Sequence, residues 1–122
     1  FSIHNNDRAV VVDVLFEDIR VEHCWDKFID FRISKSRFSS DQERGHIRNV
    51  VLRDVNWLRA DNNIGYTTSL IGGWDAEHRV ENVRLENICF NGEPIQHVDE
   101  LEINTRYADE VCLVEQAVAT VC

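Results

Sequence analysis

The chain has 122 residues, 43% of them apolar, and sets 22 acidic side chains against 13 basic ones for a net charge of −9. That size suits one domain with its own core, and no run approaches the roughly 18 consecutive apolar residues of a membrane-spanning helix. An acidic balance with no basic stripe argues against nucleic acid and against anionic membrane surfaces as partners.

In chain order, Phe1-Ser2-Ile3 alternates as the end of a strand would, and a polar stretch runs to Arg8. From Ala9 to Glu22 a longer extended element is predicted. Val14 and Phe16 lie two apart and so share a face, as do Ile19 and Val21. Phe16 to Ile19 is three residues, so the chain must turn a corner at Glu17-Asp18 to keep both pairs facing inward. Asp and Asn suit such a corner because they tolerate the left-handed backbone better than other residues that carry a side chain. A short connection containing Trp25 leads to the alternating strand Ile29-Asp30-Phe31-Arg32-Ile33. Lys35 to Gly45 is a polar excursion of the kind that carries function on a rigid scaffold.

His46 to Leu58 repeats the first long element, with Val50 and Leu52 before Arg53-Asp54 and with Val55 and Trp57 after it. Arg59 to Thr67 is turn-rich, and Ser69-Leu70-Ile71 takes the slot of the strand ending at Ile33. Gly72 to His78 forms a second loop dense in reactive groups. Arg79 to Asn91 is the third copy and is broken by Gly92-Glu93-Pro94, whose proline cannot donate to a strand ladder. Leu101-Glu102-Ile103 repeats the short strand, and Asp109 to Val114 is a degraded fourth copy. Glu115 to Cys122 is read as a last strand or a short covering segment.

From Val14 to Val50 is 36 residues and from Val50 to Val83 is 33, a period that marks a stacked array. Two short strands joined by a corner, with a third side between copies, describe a rung. The fold expected is all-β: a right-handed parallel β-helix of about three to four rungs, a single-stranded solenoid filling residues 1–122 as one domain and cut from a longer one. Equivalent residues of adjacent rungs should lie about 4.8 Å apart. Glu17, Arg53 and Glu86 then make a column alternating in charge, and Asp13, Asn49 and Asn82 a column of side chains that can bond one another. Asp18, Asp54 and Asn87 would place two carboxylates together. The short strands align through Ile33, Ile71 and Ile103. A β-sandwich with the same strands paired antiparallel is the competing fold.

Cys24, Cys89, Cys112 and Cys122 show no CxxC spacing and are read as four thiols, with Cys89 and Cys112 pointing outward on different columns. The histidines at 4, 23, 46, 78 and 97 have no metal-ligand spacing, and Asp61-Asn62-Asn63 has only the start of a calcium loop, so no metal and no cofactor is expected. Arg32, Arg37, Arg44 and Arg48 gather around the first long loop and suggest local anion binding.

Three features resemble the C-terminal rungs of the pectin-degrading β-helix proteins, the polygalacturonase-like glycoside hydrolases. They are Gly45-His46-Ile47-Arg48-Asn49-Val50, the run Asp75 to Val83, and the repeated Val-x-apolar-x-Asn-Ile pattern that ends at Asn91-Gly92, together covering roughly residues 9 to 114. The resemblance implies a lateral groove that binds polysaccharide, and a secreted or periplasmic location. The family's Asn-Thr-Asp, Asp-Asp, Gly-His-Gly and Arg-Ile-Lys motifs are absent: Ile47 follows His46 where glycine belongs, and Ser34 follows Ile33 where lysine belongs. No catalytic role is carried over.

The expected function is therefore that of a scaffold with polysaccharide contacts and no catalytic residues of its own; if the parent protein is an enzyme, a glycoside hydrolase, its acids lie in rungs outside this chain. The contacts fall to Arg32, His46, Trp74, Asp75, His78 and Arg79: the indole to stack on a sugar ring, the others to bond its hydroxyls. The bland alternatives are that Trp74 lids the edge of the core and that Arg79 pairs with a neighbouring acid. Asp75 with Glu77, or Asp30 with Asp61, would be the carboxyl pairs available for hydrolysis. The alternative function is a non-catalytic module that self-associates into a homo-oligomer through exposed end rungs.

Overall fold

The structure is a computed structural model that describes residues 1–58 and 68–114. The strands are β1 (Ser2–Asn5), β2 (Val10–Val21), β3 (Asp30–Ile33), β4 (His46–Trp57), β5 (Ser69–Gly72), β6 (Val80–Phe90), β7 (Glu93–Pro94), β8 (Ile103–Arg106) and β9 (Ala108–Leu113), with a 3-10 turn at Val98–Leu101. The chain steps alternately between two sheets. The short strands stack in the order β1-β3-β5-β8, the long ones as β2-β4-β6 with β9 beyond β6, and every one of these pairings is parallel. Such a coil of about four rungs is a parallel β-helix, and the parallel ladders exclude the sandwich. Among the strands of the described residues only β7 runs the other way, as a two-residue return beside the end of β6 after the positive-φ pair Asn91-Gly92.

Val14 pairs with Val50, Val50 with Val83 and Val83 with Val111, so the three long copies and the degraded fourth lie in register. Each long strand bends at two corners. Asp18, Asp54 and Asn87 have φ of 56°, 56° and 52°, as the parity slip predicts. The second corner, at Asp13, Asn49 and Asn82 with φ of 60°, 56° and 56°, was not anticipated, although the spacing carries it: Val11 to Val14, Ile47 to Val50 and Val80 to Val83 are each three residues. On β4 the inward residues are therefore Ile47, Val50, Leu52, Val55 and Trp57, all at 1% exposure or less. An unkinked strand would turn half of them to solvent.

The corner side chains also bond between rungs. Asn49 Nδ2 donates to Asp13 Oδ1 at 3.0 Å and Asn82 Nδ2 to Asn49 Oδ1 at 2.9 Å. On the other corner Asn87 Nδ2 donates to Asp54 Oδ1 at 2.7 Å, while Asp18 and Asp54 remain like-charged neighbours exposed to water, which screens them. Arg53 bridges Glu17 at 3.0 Å and Glu86 at 2.6 Å. Replacing it with glutamate would stack three carboxylates in one column. Arg53→Glu should melt lower than Arg53→Ala, and in about 1 M salt, where charges are screened beyond about 3 Å, the two should converge; thermal scans at low and high salt check this.

Two expectations need correction. On the short sheet Ile71 stands on Phe31 and Ile103 on Ser69, so the alignment of Ile33, Ile71 and Ile103 is off by two residues at each step. A shift of two leaves every side chain on its own face, so an alternating pattern over four residues fixes the face but not the register. The four-thiol reading fails at Cys89, which is disulfide-bonded and only 2% exposed, whereas Cys112 is an exposed thiol. Parity gives the direction of a side chain and says nothing of what packs over it. Asn56 pairs with Cys89 and Arg84 with Cys112, the different columns expected. Arg59 to Thr67 and Glu115 to Cys122 lie outside the described residues.

Candidate functional site

The connections from short sheet to long sheet all leave from one side of the coil. They are residues 6–9, 34–45 and 73–79, with only Tyr107 between β8 and β9. The outward side chains of the short sheet form the floor beside them. Arg32, Gly72 and Arg106 are in register on β3, β5 and β8, so two guanidiniums flank a position that carries no side chain. A cavity of about 570 Å³ opens there, lined by Arg32, Leu70, Gly72, Trp74 and Arg106 among others. Trp74 is 44% exposed and forms one wall.

Arg32 is held from behind. Its NH2 lies 3.0 Å from Asp30 Oδ2 and 3.1 Å from His4 Nε2, and His4 Nε2 lies 2.9 Å from the same carboxylate oxygen. A carboxylate only accepts, so His4 presents its Nε2–H to Asp30, and the approach of Arg32 NH2 to that nitrogen is a contact between two donors and not a hydrogen bond. Asp30 is 6% exposed, and its charge is balanced by Arg32. Arg106 has a different setting: its guanidinium lies 5.3 Å from the Tyr107 ring, and it makes no ion pair among the described residues.

Loop 73–79 presents Trp74 through a tight turn. Trp74 N–H donates to the His78 carbonyl at 2.8 Å, and Asp75 Oδ1 accepts from the backbone N–H groups of Glu77 at 2.9 Å and His78 at 2.8 Å. His78 Nδ1 lies 2.7 Å from that same oxygen. The hydrogen bond from His78, followed by those two N–H groups, holds the Asp75 carboxyl below its ordinary range. It is an ionised turn-former, ill suited to donate a proton itself. Gly73 enters where a β-carbon would meet the Tyr107 oxygen at 2.5 Å and the His78 oxygen at 2.7 Å, so no other residue fits without moving the loop.

The His78 ring packs against His46, centroids 5.3 Å apart and tilted by 32°. Burial, then Arg48 and His78, push the His46 imidazole below its usual value, against a smaller opposing pull from Glu81 and Asp75. Its Nδ1 is buried with no hydrogen-bond partner. Among the described residues no group of three or more His, Cys, Asp or Glu side chains is placed to hold a metal ion.

The six residues singled out from the sequence thus divide. Arg32 and Trp74 share the cavity; His46, Asp75 and His78 form a second cluster behind it, joined to it through the Trp74 turn. Arg79 belongs to neither, because its NH2 donates to Asp109 Oδ1 at 2.8 Å and its guanidinium lies 5.8 Å from the Tyr107 ring. The anion cluster of Arg32, Arg37, Arg44 and Arg48 does not form. Arg44 is 6% exposed and donates to the carbonyls of Asn6, Ser34 and Asp41, Arg48 pairs with Glu81 at 3.3 Å, and Arg37 lies over Phe38. Arg44 is a structural clamp for loop 34–45 that also lies 5.8 Å from the Trp74 ring. Of the pair Asp30 and Asp61, the second lies outside the described residues, as does the Asp61-Asn62-Asn63 motif.

Arg106, His4 and the clamp role of Arg44 went unread in the sequence. Arg106 had a signal: had Phe31 been aligned with Ile71 and Thr105, Arg32, Gly72 and Arg106 would have fallen into one column. Comparison with protein families, with curated proteins and with solved structures finds no match to the chain.

Proposed function

We propose that this chain is a polysaccharide-contacting part of a β-helix, binding a segment of an acidic glycan along the outer face of the short sheet. The observation that carries the reading is the cavity between Arg32 and Arg106 with Trp74 as its wall. An indole offers a flat apolar face to a pyranose ring, Arg106 has no ion pair among the described residues and can take a carboxylate, and Arg32, whose charge Asp30 already balances, offers its remaining N–H groups to hydroxyls. Leu70 keeps the floor partly apolar. The hydrolase expectation concerns the parent protein and not these side chains: Asp30 is paired to Arg32 and Asp75 is bound into its turn. The role is that of a binding surface.

The test is titration calorimetry with polygalacturonate oligosaccharides. Trp74→Ala should weaken binding about tenfold, equivalent to about 1.4 kcal/mol. Arg106→Ala should weaken it too and flatten its salt dependence. Absence of binding to the parent protein, or unchanged affinity in both variants, removes the reading.

A second reading is favoured by one observation on β2. Val10, Val12 and Leu15 are 51%, 45% and 50% exposed, on a strand whose outer edge carries no neighbour among the described residues. An apolar strand with an open edge is a template for pairing, and a second copy of the chain is the proposed occupant. Sedimentation should then show dimers that Val12→Lys disrupts; a monomer across the concentration range sinks this reading.

A further inference from the structure

We propose that the His46–His78 contact is a proton-operated latch, which holds loop 73–79 and its Trp74 against the groove near neutral pH and lets them go in mild acid. Its effect on a ligand rests on the groove reading above; the latch itself does not.

The latch has a fixed half and a movable half. His46 opens β4 in register with Val10 on β2, the next residue, Ile47, pairs with Val80 on β6, and the His46 carbonyl accepts from Asn5 Nδ2 at 3.2 Å. It is therefore part of the coil. His78 belongs to the loop and is tied to Trp74 within a five-residue turn, Trp74 N–H to His78 carbonyl at one side and His78 N–H to Asp75 at the other. Where the His78 ring goes, the Trp74 backbone goes.

The two rings are placed differently. His78 Nδ1–H has an acceptor, the Asp75 carboxylate at 2.7 Å. His46 Nδ1 has none. An imidazolium carries a hydrogen on both nitrogens, and Nδ1 of His46 is buried with no acceptor within reach. The charged groups around it are mixed. Arg48 on its own strand and His78 on the loop oppose a positive charge, Glu81 on β6 and Asp75 on the loop favour one more weakly, and Arg79 is turned to Asp109. Val10 on β2 contributes no charge.

The sign follows by linkage. In the closed arrangement His46 binds its proton less readily than an ordinary histidine; once the loop lifts, Nδ1 meets water and the ordinary value of about 6.5 returns. Protons therefore favour the open form: the closed form keeps its full advantage well above about pH 6.5 and loses it progressively as the pH falls through that value.

The experiment is fluorine NMR of the chain labelled with 5-fluorotryptophan, read from about pH 7.5 to pH 5, a window that brackets the free histidine value. Trp74 is assigned by its loss in Trp74→Phe. Its resonance should hold steady at the upper end and move toward the solvent position on acidification, while the Trp57 resonance stays fixed. In His46→Gln, which has nothing to protonate, the Trp74 titration should vanish; in His78→Gln the resonance should sit at the open position at every pH. A Trp74 resonance that does not respond to pH, or that titrates equally in His46→Gln, overturns the latch. Calorimetry with polygalacturonate oligosaccharides separates the two ideas. Affinity should fall about threefold or more over the same range in the parent and stay level in His46→Gln. A Trp74 titration with no binding at any pH supports the latch and removes the groove reading; pH-independent binding with no Trp74 titration does the reverse.

Discussion

Trp57→Ala should cost about 3–5 kcal/mol, the loss expected for truncating a fully buried large aromatic. Trp57 is 1% exposed on β4. Its ring lies 4.3 Å from that of Phe28 at an interplanar angle of 4°, and 4.9 Å from Phe90 at 70°. It stands in register with Val21 on one side and Phe90 on the other, so one side chain closes the core across three successive rungs. In a solenoid each rung touches only its neighbours, and a cavity in the middle uncouples those above from those below. A domain of ordinary stability, about 5–15 kcal/mol, would lose a large share of it. Trp25→Ala is the matched control, because Trp25 is 61% exposed and packs edge-on against His23, its one aromatic contact among the described residues. That change should stay within about 0.5 kcal/mol. Urea titrations of the two variants decide the matter, and a Trp57→Ala loss below about 1 kcal/mol would mean the aromatic column does not carry the stack.

How much of this was legible depends on what kind of regularity wrote it. Val14, Val50 and Val83 share a column, and so do Asn49 and Asn82, because each rung must present the same surface to the next; a repeat in space is then a repeat in sequence. The corners at Asp13 and Asp18 follow the same logic, as changes of parity in an apolar pattern. The groove follows no such rule. It exists because Gly72 has no side chain between Arg32 and Arg106, and because a loop unique to one rung brings Trp74 beside them. Asp109, which takes Arg79 out of the site, is thirty residues away. Residues 34–45 looked like a functional excursion. They proved to be fastened down, with Ser39 Oγ donating to the Asn6 carbonyl and the N–H groups of Ser40 and Asp41 donating to Asp7. Chain length outside the repeat signals an insertion, while whether it binds a ligand or its own neighbour depends on contacts that no period encodes.

Gly45→Ala should cost about 1–3 kcal/mol. Gly45 is the point where loop 34–45 rejoins the coil. A β-carbon there would overlap the Ala9 carbonyl oxygen and come within 2.7 Å of Asn5 Nδ2. Neither obstacle can step aside cheaply. The Ala9 carbonyl accepts from His46 N–H at 3.1 Å, the first hydrogen bond joining rung one to rung two on the long sheet, and also from Asn5 Nδ2 at 2.7 Å. Asn5 is itself 5% exposed and holds the His46 carbonyl. Relief would require parting the first two rungs at the entry to β4, which also displaces His46 from His78. The loss should therefore appear twice: as a lower urea midpoint, and as a Trp74 fluorine resonance shifted toward its open position at neutral pH. Gly92→Ala makes the comparison sharp. Gly92 has φ of +82° and nothing within 4 Å of the added carbon, so its cost is the backbone preference alone, about 1–2 kcal/mol, and Trp74 should not notice. If Gly45→Ala leaves both readouts untouched, the close approach of rung one to rung two at this point is not what holds β4 in place.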